Sequence, residues 1–276
     1  FYSVQGEGIS TGIPSYFVRL GVCNLTCGMS RKFTNALLKE ASLADGEIFK
    51  GDLELEGKAT WTCDSTSQWL WRGEDKEFQY LIDRWKEQGI YEDIKNGTIH
   101  IIWTGGEPTI KGHQEAIVNF FKYWKSVDPS IKKIVSGGII VTDQVTAYSE
   151  IETNGTIVID EPLSIYINQV NCSPKLSNSG MTEKQRINPD AIKRIMEHSN
   201  YQFKFVISNE EDIKELFRDF VVPFSIPLAN VVCMPGLDSQ TDFHERTQFV
   251  LEMAKKYKFR GLTRLHISAW DKTLNV

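Results

Sequence analysis

Residues 16–27 read Y-F-V-R-L-G-V-C-N-L-T-C, an apolar strand followed at once by two cysteines. The segment Tyr16–Leu20 is short, rich in aromatic and branched residues and followed by Gly21, which predicts a buried strand. Six other segments have the same character, and we predict that they are strands as well. They are Thr98–Trp103, Ile139–Thr142, Ser164–Val170, Gln202–Ile207, Asn230–Cys233 and Thr263–Ile267.

Segments with helical periodicity lie between these predicted strands. Phe78–Gln88 has apolar residues at 78, 81, 82 and 85, which is the spacing of one helix face. The same periodicity predicts helices over Gln114–Lys125, Pro189–His198, Glu210–Phe217 and Asp242–Tyr257. Strands that alternate with helices predict an α/β fold of parallel βαβ units with right-handed crossovers. Ligands of such folds bind at the carboxyl ends of the strands, so we expect the functional site there.

Composition narrows the class of protein. The chain has 276 residues, 41% of them hydrophobic and 24% charged, which is enough to bury a core in one or two domains. A formal net charge of −5 argues against a broad nucleic-acid surface, which would need a basic face. No run of 18 apolar residues predicts a transmembrane helix, and Gln5 and Glu7 are atypical of a signal peptide. We therefore expect a cytoplasmic protein, and a small anionic ligand held by local cations is compatible with this composition.

The five cysteines divide into two groups. An odd number in a chain of this length argues against a secreted disulfide framework. Cys23, Cys27 and Cys63 would give three thiolates, and three thiolates on a 4Fe–4S cluster leave one iron open for a ligand. A closed structural zinc site would need a fourth ligand. A C-x3-C pair alone is also compatible with ordinary buried thiols, which is the interpretation we prefer for Cys172 and Cys233.

A polar segment, Gly28–Thr60, separates Cys27 from Cys63 and has no strong period. We interpret it as an insertion in a loop, with a short helix predicted over Asn35–Ala41. Long loops in compact domains are often lids over a site, and many others are solvated excursions. The sequence leaves both interpretations open.

Seven motifs follow one another along the chain. They are F-Y-S-V-Q-G-E-G at 1–8, F-V-R-L-G-V-C-N-L-T-C at 17–27, T-G-G-E-P at 104–108, E-T-N-G-T at 152–156, C-S-P-K at 172–175, M-P-G at 234–236 and L-H at 265–266. With them the chain resembles the 7-carboxy-7-deazaguanine synthase family of the radical S-adenosylmethionine (SAM) superfamily. G-G-E-P is typical of radical SAM enzymes in general, whereas Q-G-E-G, E-T-N-G-T and S-P-K are more specific. The family commonly has C-x3-C-x2-C, and here 35 residues lie between Cys27 and Cys63.

The resemblance implies a fold, a reaction and partners. The implied fold is a modified, incomplete (β/α) radical SAM barrel in one domain over residues 1–276, with the insertion at about 28–60. The implied reaction converts 6-carboxy-5,6,7,8-tetrahydropterin to 7-carboxy-7-deazaguanine by ring contraction with loss of ammonia. It would use a 4Fe–4S cluster, SAM and Mg²⁺, with the protein supplying position and protection. The implied partners are the pterin substrate and an electron donor such as flavodoxin or ferredoxin, without a membrane or direct nucleic-acid contact, and the family is commonly homodimeric.

The resemblance also assigns residues to the cofactors. Cys23, Cys27 and Cys63 would bind the cluster. Ser65 stands where the family binds Mg²⁺ through a Thr hydroxyl, and one hydroxyl suffices because Mg²⁺ keeps most of its ligands from water and substrate. The positions assigned to SAM are Thr62, Asp64, Gly105, Gly106, Glu107, Glu152, Asn154, Ser173, Pro174, Lys175, Met234 and Pro235.

Several of these positions have an ordinary structural alternative. Glu107 would equally anchor its own turn, and an Asn154–Gly155 pair is a common turn. A lysine at a strand end, such as Lys175, is often simply solvated. Thr62 departs from the family, which usually has an aromatic residue directly before the last cysteine, and Trp61 lies one position earlier.

The substrate-binding positions implied by the resemblance are Val4, Gln5, Gly6, Glu7, Arg19, Thr104 and His266. The planar fork of Arg19 suits a substrate carboxylate, although a surface ion pair is the structural alternative. A lone histidine is more often structural than catalytic, but we expect His266 to end the last predicted strand on the same rim.

Two other functions remain open from the sequence. A radical SAM activase, which installs a glycyl radical on a partner, would share the cysteines and G-G-E-P but would not need Q-G-E-G or Arg19. A non-enzymatic metal-binding or nucleic-acid module would need a fourth metal ligand and a basic face, and the sequence offers neither.

Overall fold

A computed structural model describes residues 1–30, 32, 34–35, 55–63, 74–131, 147–236 and 240–271 of the chain. Eight strands in these ranges form one sheet, and their order in the sheet is their order along the chain. The first pair is antiparallel, and every later pair is parallel, as the alternation of strands and helices predicts. The strands are β1 (Tyr2–Val4), β2 (Pro14–Leu20), β3 (His100–Gly105), β4 (Ser149–Thr153), β5 (Gln169–Cys172), β6 (Tyr201–Ile207), β7 (Val231–Pro235) and β8 (Arg260–Gly261).

Helices follow the parallel strands, and most of them pack on one face of the sheet. Those in the described ranges are α1 (Phe78–Glu87), α2 (Tyr91–Lys95), α3 (Lys111–Val127), α4 (Glu161–Ser164), α5 (Glu183–Arg186), α6 (Pro189–Met196), α7 (Glu210–Leu216), α8 (Val222–Phe224), α9 (Phe243–Tyr257) and α10 (Leu265–Trp270). The five predicted helices are confirmed within a few residues as α1, α3, α6, α7 and α9. The start of α6 is fixed by Asn188, whose side chain accepts hydrogen bonds from the backbone N–H groups of Asp190 and Ala191, with Pro189 at the first helical position.

The hydrophobic core lies between the sheet and these helices. Its densest part is aromatic: the Trp85 ring of α1 lies 5.1 Å from Trp124 of α3, and Trp103 of β3 lies 5.5 Å from Phe120. Burying each large side chain stabilises the fold by roughly 1.5–3 kcal/mol relative to leaving it exposed. No helix in the described ranges is long and apolar enough to cross a membrane.

The first and last parts of the sheet are joined by contacts that are not strand pairing. The backbone N–H of Leu265 donates to the carbonyl of Gly6 at 3.0 Å, and Arg264 Nε donates to Glu7 Oε1 at 2.8 Å. The segment after β1 therefore meets the segment after β8. This contact brings two motifs distant in sequence, Q-G-E-G and L-H, to the same place.

Two strand predictions need correction. The predicted strand Thr263–Ile267 is wrong, because β8 ends at Gly261 and α10 begins at Leu265. The predicted strand Ser164–Val170 is mostly wrong, since α4 and a turn occupy its first part and β5 begins at Gln169. Both segments are short and contain a few apolar residues, a pattern that helical turns and strands share.

Strands β1, β4 and β8 were not predicted, and two predictions remain untested. Strand β4, at the end of which Glu152 lies, was not among the predicted strands. The predicted strand Ile139–Thr142 lies outside the described residues. So does the predicted helix Asn35–Ala41, apart from Asn35, together with much of the Gly28–Thr60 insertion.

Candidate active site

The strands β2 to β7 have two faces of opposite character. Alternate residues point to opposite sides of a strand, and one set packs into the core with the helices. The other set forms what we call the polar face of the sheet. Its polar members are Arg19, His100, Thr104, Glu150, Glu152, Gln169, Asn171, Gln202 and Lys204. Most of these side chains are buried, so each one needs a hydrogen-bonding partner.

Lys204 lies at the centre of the polar face. Its ammonium group is 2.5 Å from Glu152 Oε2 and 3.1 Å from Glu7 Oε2. Burial disfavours the Lys204 charge, but the two carboxylates outweigh it and raise the pKa of Lys204 above its ordinary value. Burial is likewise the largest influence on Glu152 and raises the pKa of that carboxyl to about 7, against the charge of Lys204. Glu152 is therefore a carboxyl that changes its charge near neutral pH.

Glu7 is held in its ionised form. Burial opposes its charge, yet Lys204, then Arg264 and His266, outweigh burial and keep the pKa of Glu7 well below its usual range. The Arg264 contact comes from the residue directly before α10. Two cations therefore fix one carboxylate of the Q-G-E-G motif in a buried position.

The Q-G-E-G motif is built into the same network. Gln5 is buried, and its Nε2 donates to Glu152 Oε1 at 3.0 Å. A Cβ on Gly6 would lie 2.3 Å from His266 Nδ1, and one on Gly8 would lie 2.1 Å from Gln202 Nε2. The two glycines thus let the motif lie directly against α10 and the polar face. His266 begins a helix rather than ending a strand, but it still lies beside the motif with which it was grouped.

The G-G-E turn after β3 is anchored by Glu107. This buried carboxylate accepts hydrogen bonds from the backbone N–H of Thr109 at 2.9 Å, the Thr153 hydroxyl at 2.7 Å and the backbone N–H of Asn154 at 2.7 Å. The structural interpretation of Glu107 is confirmed, because these contacts tie the turn after β3 to the end of β4.

Gly105 and Gly106 allow a close approach of backbone to backbone. A Cβ on Gly106 would lie 1.8 Å from the carbonyl oxygen of Val22, and Gly105 has a φ of +110°. The backbone N–H of Gly106 donates to the carbonyl of Leu20 at 2.7 Å, and the backbone N–H of Glu107 donates to the carbonyl of Val22 at 2.9 Å. The contact that these glycines make in the structure is thus with the segment leading into Cys23.

The E-T-N-G-T motif holds the first cysteine segment from the other side. Asn154 Nδ2 donates to Asn24 Oδ1 at 2.9 Å and lies 3.9 Å from Cys23 Sγ. Asn24 Nδ2 in turn donates to the Thr156 hydroxyl at 2.8 Å. Since Asn154 also accepts hydrogen bonds from Thr156, the N-G turn and the cysteine segment form one connected unit.

The three candidate cluster cysteines gather in one small apolar group. Cys27 packs with Leu25 and Met181, and Cys23 and Cys63 lie against that group. The backbone N–H of Cys63 donates to the carbonyl of Cys27 at 3.1 Å. Burial raises the pKa of the Cys23 thiol to about 11. Within the described ranges, no three or more His, Cys, Asp or Glu side chains are arranged so that they could hold a metal ion.

The two ends of the insertion are closed on each other and on the chain after β5. Met29 and Leu55 form an isolated antiparallel bridge. The backbone N–H of Gly28 donates to the carbonyl of Ser179 at 2.7 Å, and the backbone N–H of Thr60 donates to the carbonyl of Asn178 at 2.9 Å. Cys63 therefore returns to the side of Cys27 although 35 residues separate them in sequence.

Trp61 lies between two of the segments assigned to SAM. Lys175 Nζ is 5.5 Å from the centroid of its ring, and a Cβ on Gly236 would lie 3.9 Å from its Cδ1. The indole N–H donates to Asn178 Oδ1 at 2.9 Å. The sequence analysis left this aromatic residue out of the site, and the structure puts it beside the S-P-K and M-P-G motifs.

The remaining predicted positions fall into three groups. Arg19 and Thr104 are neighbours in the register of β2 and β3, and the Arg19 guanidinium lies 5.3 Å from the Phe1 ring centroid. Ser173 accepts a hydrogen bond from Lys175 Nζ at 3.1 Å, next to the buried Pro174. Val4 lies in β1, Met234 and Pro235 are buried in β7, and Thr62 is half-buried, whereas Asp64 and Ser65 lie outside the described residues.

The sequence analysis missed several polar-face residues. Glu150 Oε1 lies 2.6 Å from His100 Nδ1, Glu150 Oε2 accepts from Asn171 Nδ2 at 2.7 Å, and Gln202 Nε2 donates to Asn171 Oδ1 at 2.6 Å. A signal was present: Gln202 and Lys204 alternate with Phe203 and Phe205 in a strand that reads as buried. Polar residues at every second position of a buried strand indicate a polar interior.

Comparisons with known proteins point to one group. No family model matches the chain. The 7-carboxy-7-deazaguanine synthase of Pyrobaculum aerophilum is 27% identical over 273 residues, which are 98% of this chain and 92% of that protein. The enzymes of the same name from Halobacterium salinarum and Aquifex aeolicus are each 25% identical, over 98% and 96% of this chain and 88% and 89% of their own lengths.

A solved structure supports the fold. The crystal structure of QueE from Escherichia coli matches with a TM-score of 0.52 and 18% identity, over 96% of this chain and 92% of that one. At this identity the match shows a common fold, and it agrees with the parallel α/β sheet described above. The chain is therefore similar, along almost its whole length, to enzymes named 7-carboxy-7-deazaguanine synthase, at 25–27% identity.

Proposed function

We propose that this chain converts 6-carboxy-5,6,7,8-tetrahydropterin to 7-carboxy-7-deazaguanine, contracting the ring with loss of ammonia in queuosine-type 7-deazaguanine biosynthesis. The observation that carries the proposal is the hydrogen bond from Gln5 to Glu152, together with the Glu7–Lys204 ion pair. These contacts join the Q-G-E-G motif to the polar face at the ends of the strands. A glycyl-radical activase has no need of that motif, so its burial in the site favours the synthase.

The cysteines fit a 4Fe–4S cluster by their donor chemistry. Three soft thiol donors share one apolar group, and a cluster bound by three cysteines keeps one iron open. Cys23, Cys27 and Cys63 would hold the cluster, and SAM would bind its open iron. The reduced cluster and SAM would supply the hydrogen-atom abstraction that starts the reaction. Binding would require the thiols to lose their protons, which burial of Cys23 opposes until iron is present.

SAM would bind among the segments that surround the cysteines. The Gly105–Gly106 backbone, Asn154 and Ser173 lie on segments joined by hydrogen bonds to the cysteine segment or to the end of β4. Lys175 would meet an anionic group, and Met234 would offer an apolar surface near Trp61. In this assignment Glu107 acts through the turn that it anchors, and the remaining positions, Thr62, Asp64, Pro174 and Pro235, complete the pocket.

The substrate would lie on the other side of Glu152, against the N-terminal motif. Arg19 would bind its carboxylate, because the planar guanidinium offers two parallel donors. Gln5, Gly6 and Glu7, with Val4, would bind the pterin edge through amide and carboxylate groups. Thr104 and His266 would close the pocket, consistent with the position of Thr104 beside Arg19 and of His266 beside Gly6.

Mg²⁺ completes the proposed set of cofactors. Ser65 would supply its one protein hydroxyl, with the other ligands coming from water and substrate. We expect Ser65→Ala to lower turnover while SAM affinity is retained, because the hydroxyl serves the metal rather than the cluster. Titration of activity with MgCl₂ in the wild type and Ser65→Ala measures this. Equal activity without Mg²⁺ in both proteins would contradict the assignment.

The broader proposals follow from the family. We propose a modified, incomplete barrel in a single domain, a homodimeric assembly, a cytoplasmic location and a flavodoxin- or ferredoxin-type electron donor, with no direct nucleic-acid contact. The contacts between the Q-G-E-G segment and the start of α10 support a barrel that is closed by loops rather than by strand pairing.

The decisive experiment is anaerobic reconstitution followed by turnover. Protein loaded with iron and sulfide is incubated with the carboxytetrahydropterin, SAM, Mg²⁺ and dithionite, and the product is identified by mass spectrometry. We expect 7-carboxy-7-deazaguanine, with none formed when SAM is omitted. If the fully loaded protein cleaves SAM but leaves the pterin unchanged, the proposed function is rejected and the glycyl-radical activase becomes the favoured function.

A further inference from the structure

Lys204 connects parts of the site that come from distant segments of the chain. It lies in the middle of β6, and only 1% of its surface is exposed. Glu152, one of its partners, ends strand β4, whereas Glu7, the other, belongs to the N-terminal motif. Glu152 also accepts hydrogen bonds from Gln5 at 3.0 Å and Asn171 at 3.1 Å. Glu7 Oε1 also accepts a hydrogen bond from Arg264 Nε at 2.8 Å.

An arrangement of this kind is costly for stability alone. Removing charges from water carries a large desolvation cost, and well-packed apolar side chains of similar volume often give equal or greater stability. The opposite face of β6 holds such side chains, since Phe203 and Phe205 are fully buried there. The lysine therefore calls for an explanation beyond packing.

The proposed function gives each carboxylate a different ligand. Glu152 was assigned to SAM and Glu7 to the substrate, so the ammonium group of Lys204 lies between the two subsites. A lysine that contacts both carboxylates transmits a change at one to the other. If one carboxylate moves or is protonated, the interaction between the lysine and the other carboxylate changes as well.

We propose that Lys204 is a positioning residue that couples SAM binding to substrate binding through Glu152 and Glu7. The proposal rests on the proposed function for the identity of the two ligands. Lys204 itself need touch neither ligand. Its effect is to favour the ionised form of Glu152 against burial and to align it toward SAM, while it fixes Glu7 against the pterin.

The charge state of Glu152 gives this coupling a pH signature. The groups that face Glu152 are Lys204 from β6, Glu7 from the N-terminal segment and Glu150 from its own strand, besides the amides of Gln5 and Asn171. Only Lys204 among the charged ones favours ionisation. Without the lysine, the pKa of Glu152 would rise above about 7, and the carboxyl would stay protonated at neutral pH.

The binding test compares Lys204→Met with the wild type. In reconstituted protein, the affinity for the carboxytetrahydropterin is measured by calorimetry with and without SAM. We expect SAM to tighten wild-type substrate binding about fivefold or more, and Lys204→Met to reduce that factor to below about twofold. We also expect Lys204→Met to weaken SAM binding by about tenfold at pH 7 and to recover affinity as the pH is raised. Lys214→Met, which removes an exposed lysine of α7, is the matched control and should behave as the wild type.

A second measurement uses the cluster-free protein and depends on neither ligand nor turnover. Thermal unfolding is followed from pH 7 to pH 9 in the wild type, Lys204→Met and Lys214→Met. We expect Lys204→Met to lose more stability over this range than the two proteins that keep the lysine, because its Glu152 is still fully protonated at pH 7, whereas wild-type Glu152 has already released part of its proton. Parallel curves, or an unchanged SAM effect on substrate affinity in Lys204→Met, would overturn the coupling role. Lys204→Gln, which also removes the charge, serves if the methionine variant does not fold.

The two proposals fail in different ways. If wild-type protein makes no product from the pterin, the proposed function is lost, while the unfolding curves still decide whether Lys204 controls Glu152. If the wild type turns over but Lys204→Met keeps full coupling and wild-type unfolding curves, the function stands and the role of Lys204 is rejected.

Discussion

The two faces of strands β4 to β6 show how one sheet serves two purposes. One face packs Ile151, Val170, Phe203 and Phe205 against the helices, and all four are fully buried. The other face buries charged and amide side chains, most of which hydrogen-bond to one another. Burial is similar on both sides, so the difference lies in what the buried atoms can do.

The difference also separates stability from chemistry. The apolar face gains free energy in proportion to the area it removes from water, and its contacts are non-directional. The polar face gains little net stability, but it fixes donors and acceptors in place where the carboxyl ends of the strands meet. We therefore expect substitutions on the first face to change unfolding and those around the second to change binding.

The largest effect should distinguish the three cysteines of the small apolar group from the two in the core. Replacing Cys23, Cys27 or Cys63 by Ala should abolish cluster assembly, because each change removes one of the three proposed iron ligands. Cys172→Ala and Cys233→Ala should keep full iron content, since both thiols are buried in the core and burial raises their pKa well above the ordinary value. Iron and sulfide content after anaerobic reconstitution measures this. Retained iron in Cys63→Ala would show that the third ligand was wrongly chosen across the insertion.

On the apolar face, Phe203→Ala should remove about 3–5 kcal/mol from the free energy of unfolding. The cause is a cavity between β6 and the helices, where the Phe203 ring is fully buried. Urea titration followed by circular dichroism gives the value, and Leu251→Ala on the exposed side of α9 is the control, with an expected change within about 0.5 kcal/mol. The affinity of the folded fraction for SAM should stay unchanged. A large loss of SAM affinity without a loss of stability would contradict the expectation that the apolar face governs stability rather than binding.

On the polar face, Arg19→Ala should weaken transition-state binding of the substrate by roughly 2–5 kcal/mol, because a buried carboxylate loses its partner. The measurement is kcat/KM for the pterin, while SAM cleavage without substrate should persist. Arg19→Lys should restore little, since a point charge does not reproduce a two-pronged contact. Arg218→Ala removes an exposed arginine and is the control. Wild-type kinetics in Arg19→Ala would mean that the residue is structural and would weaken the case for a carboxylated substrate.

The sequence predicted what depends on local pattern. The helices with clear periodicity, such as Phe78–Glu87 and Phe243–Tyr257, lie where their apolar spacing put them. The motifs that follow β3, β4 and β5 lie together at the carboxyl ends of these strands, as a parallel sheet predicts. The burial of Cys172 and Cys233 in the core followed from their setting in apolar segments.

The rest depends on contacts between distant segments. Nothing local distinguishes residues 263–267 from a strand. In the structure a helix begins at Leu265, whose backbone N–H donates to the carbonyl of Gly6. Lys204 has meaning only through Glu7 and Glu152, which are 197 and 52 residues away in sequence. Trp61 likewise reaches the site because the base of the insertion is closed on the segment after β5.

The smallest expected effect is a pH dependence of stability that Glu152 imposes on the polar face. Burial raises the folded-state pKa of Glu152 to about 7, whereas an unfolded glutamate titrates at about 4.5. A raised pKa means that the folded protein binds the proton more tightly, so this stabilisation is complete below pH 4.5 and declines as the pH rises to about 7. Its size is on the order of 1–3 kcal/mol, with Lys204 limiting it. Glu152→Gln cannot titrate, and the difference between wild-type and variant unfolding free energies should therefore fall from pH 5 through pH 7 and level off about one pH unit above it. Subtracting the two curves removes the contribution of the histidines, which titrate in both proteins. A difference that stays constant over this range would mean that Lys204 outweighs burial and holds Glu152 ionised throughout, and the two faces would then differ in charge as well as in polarity.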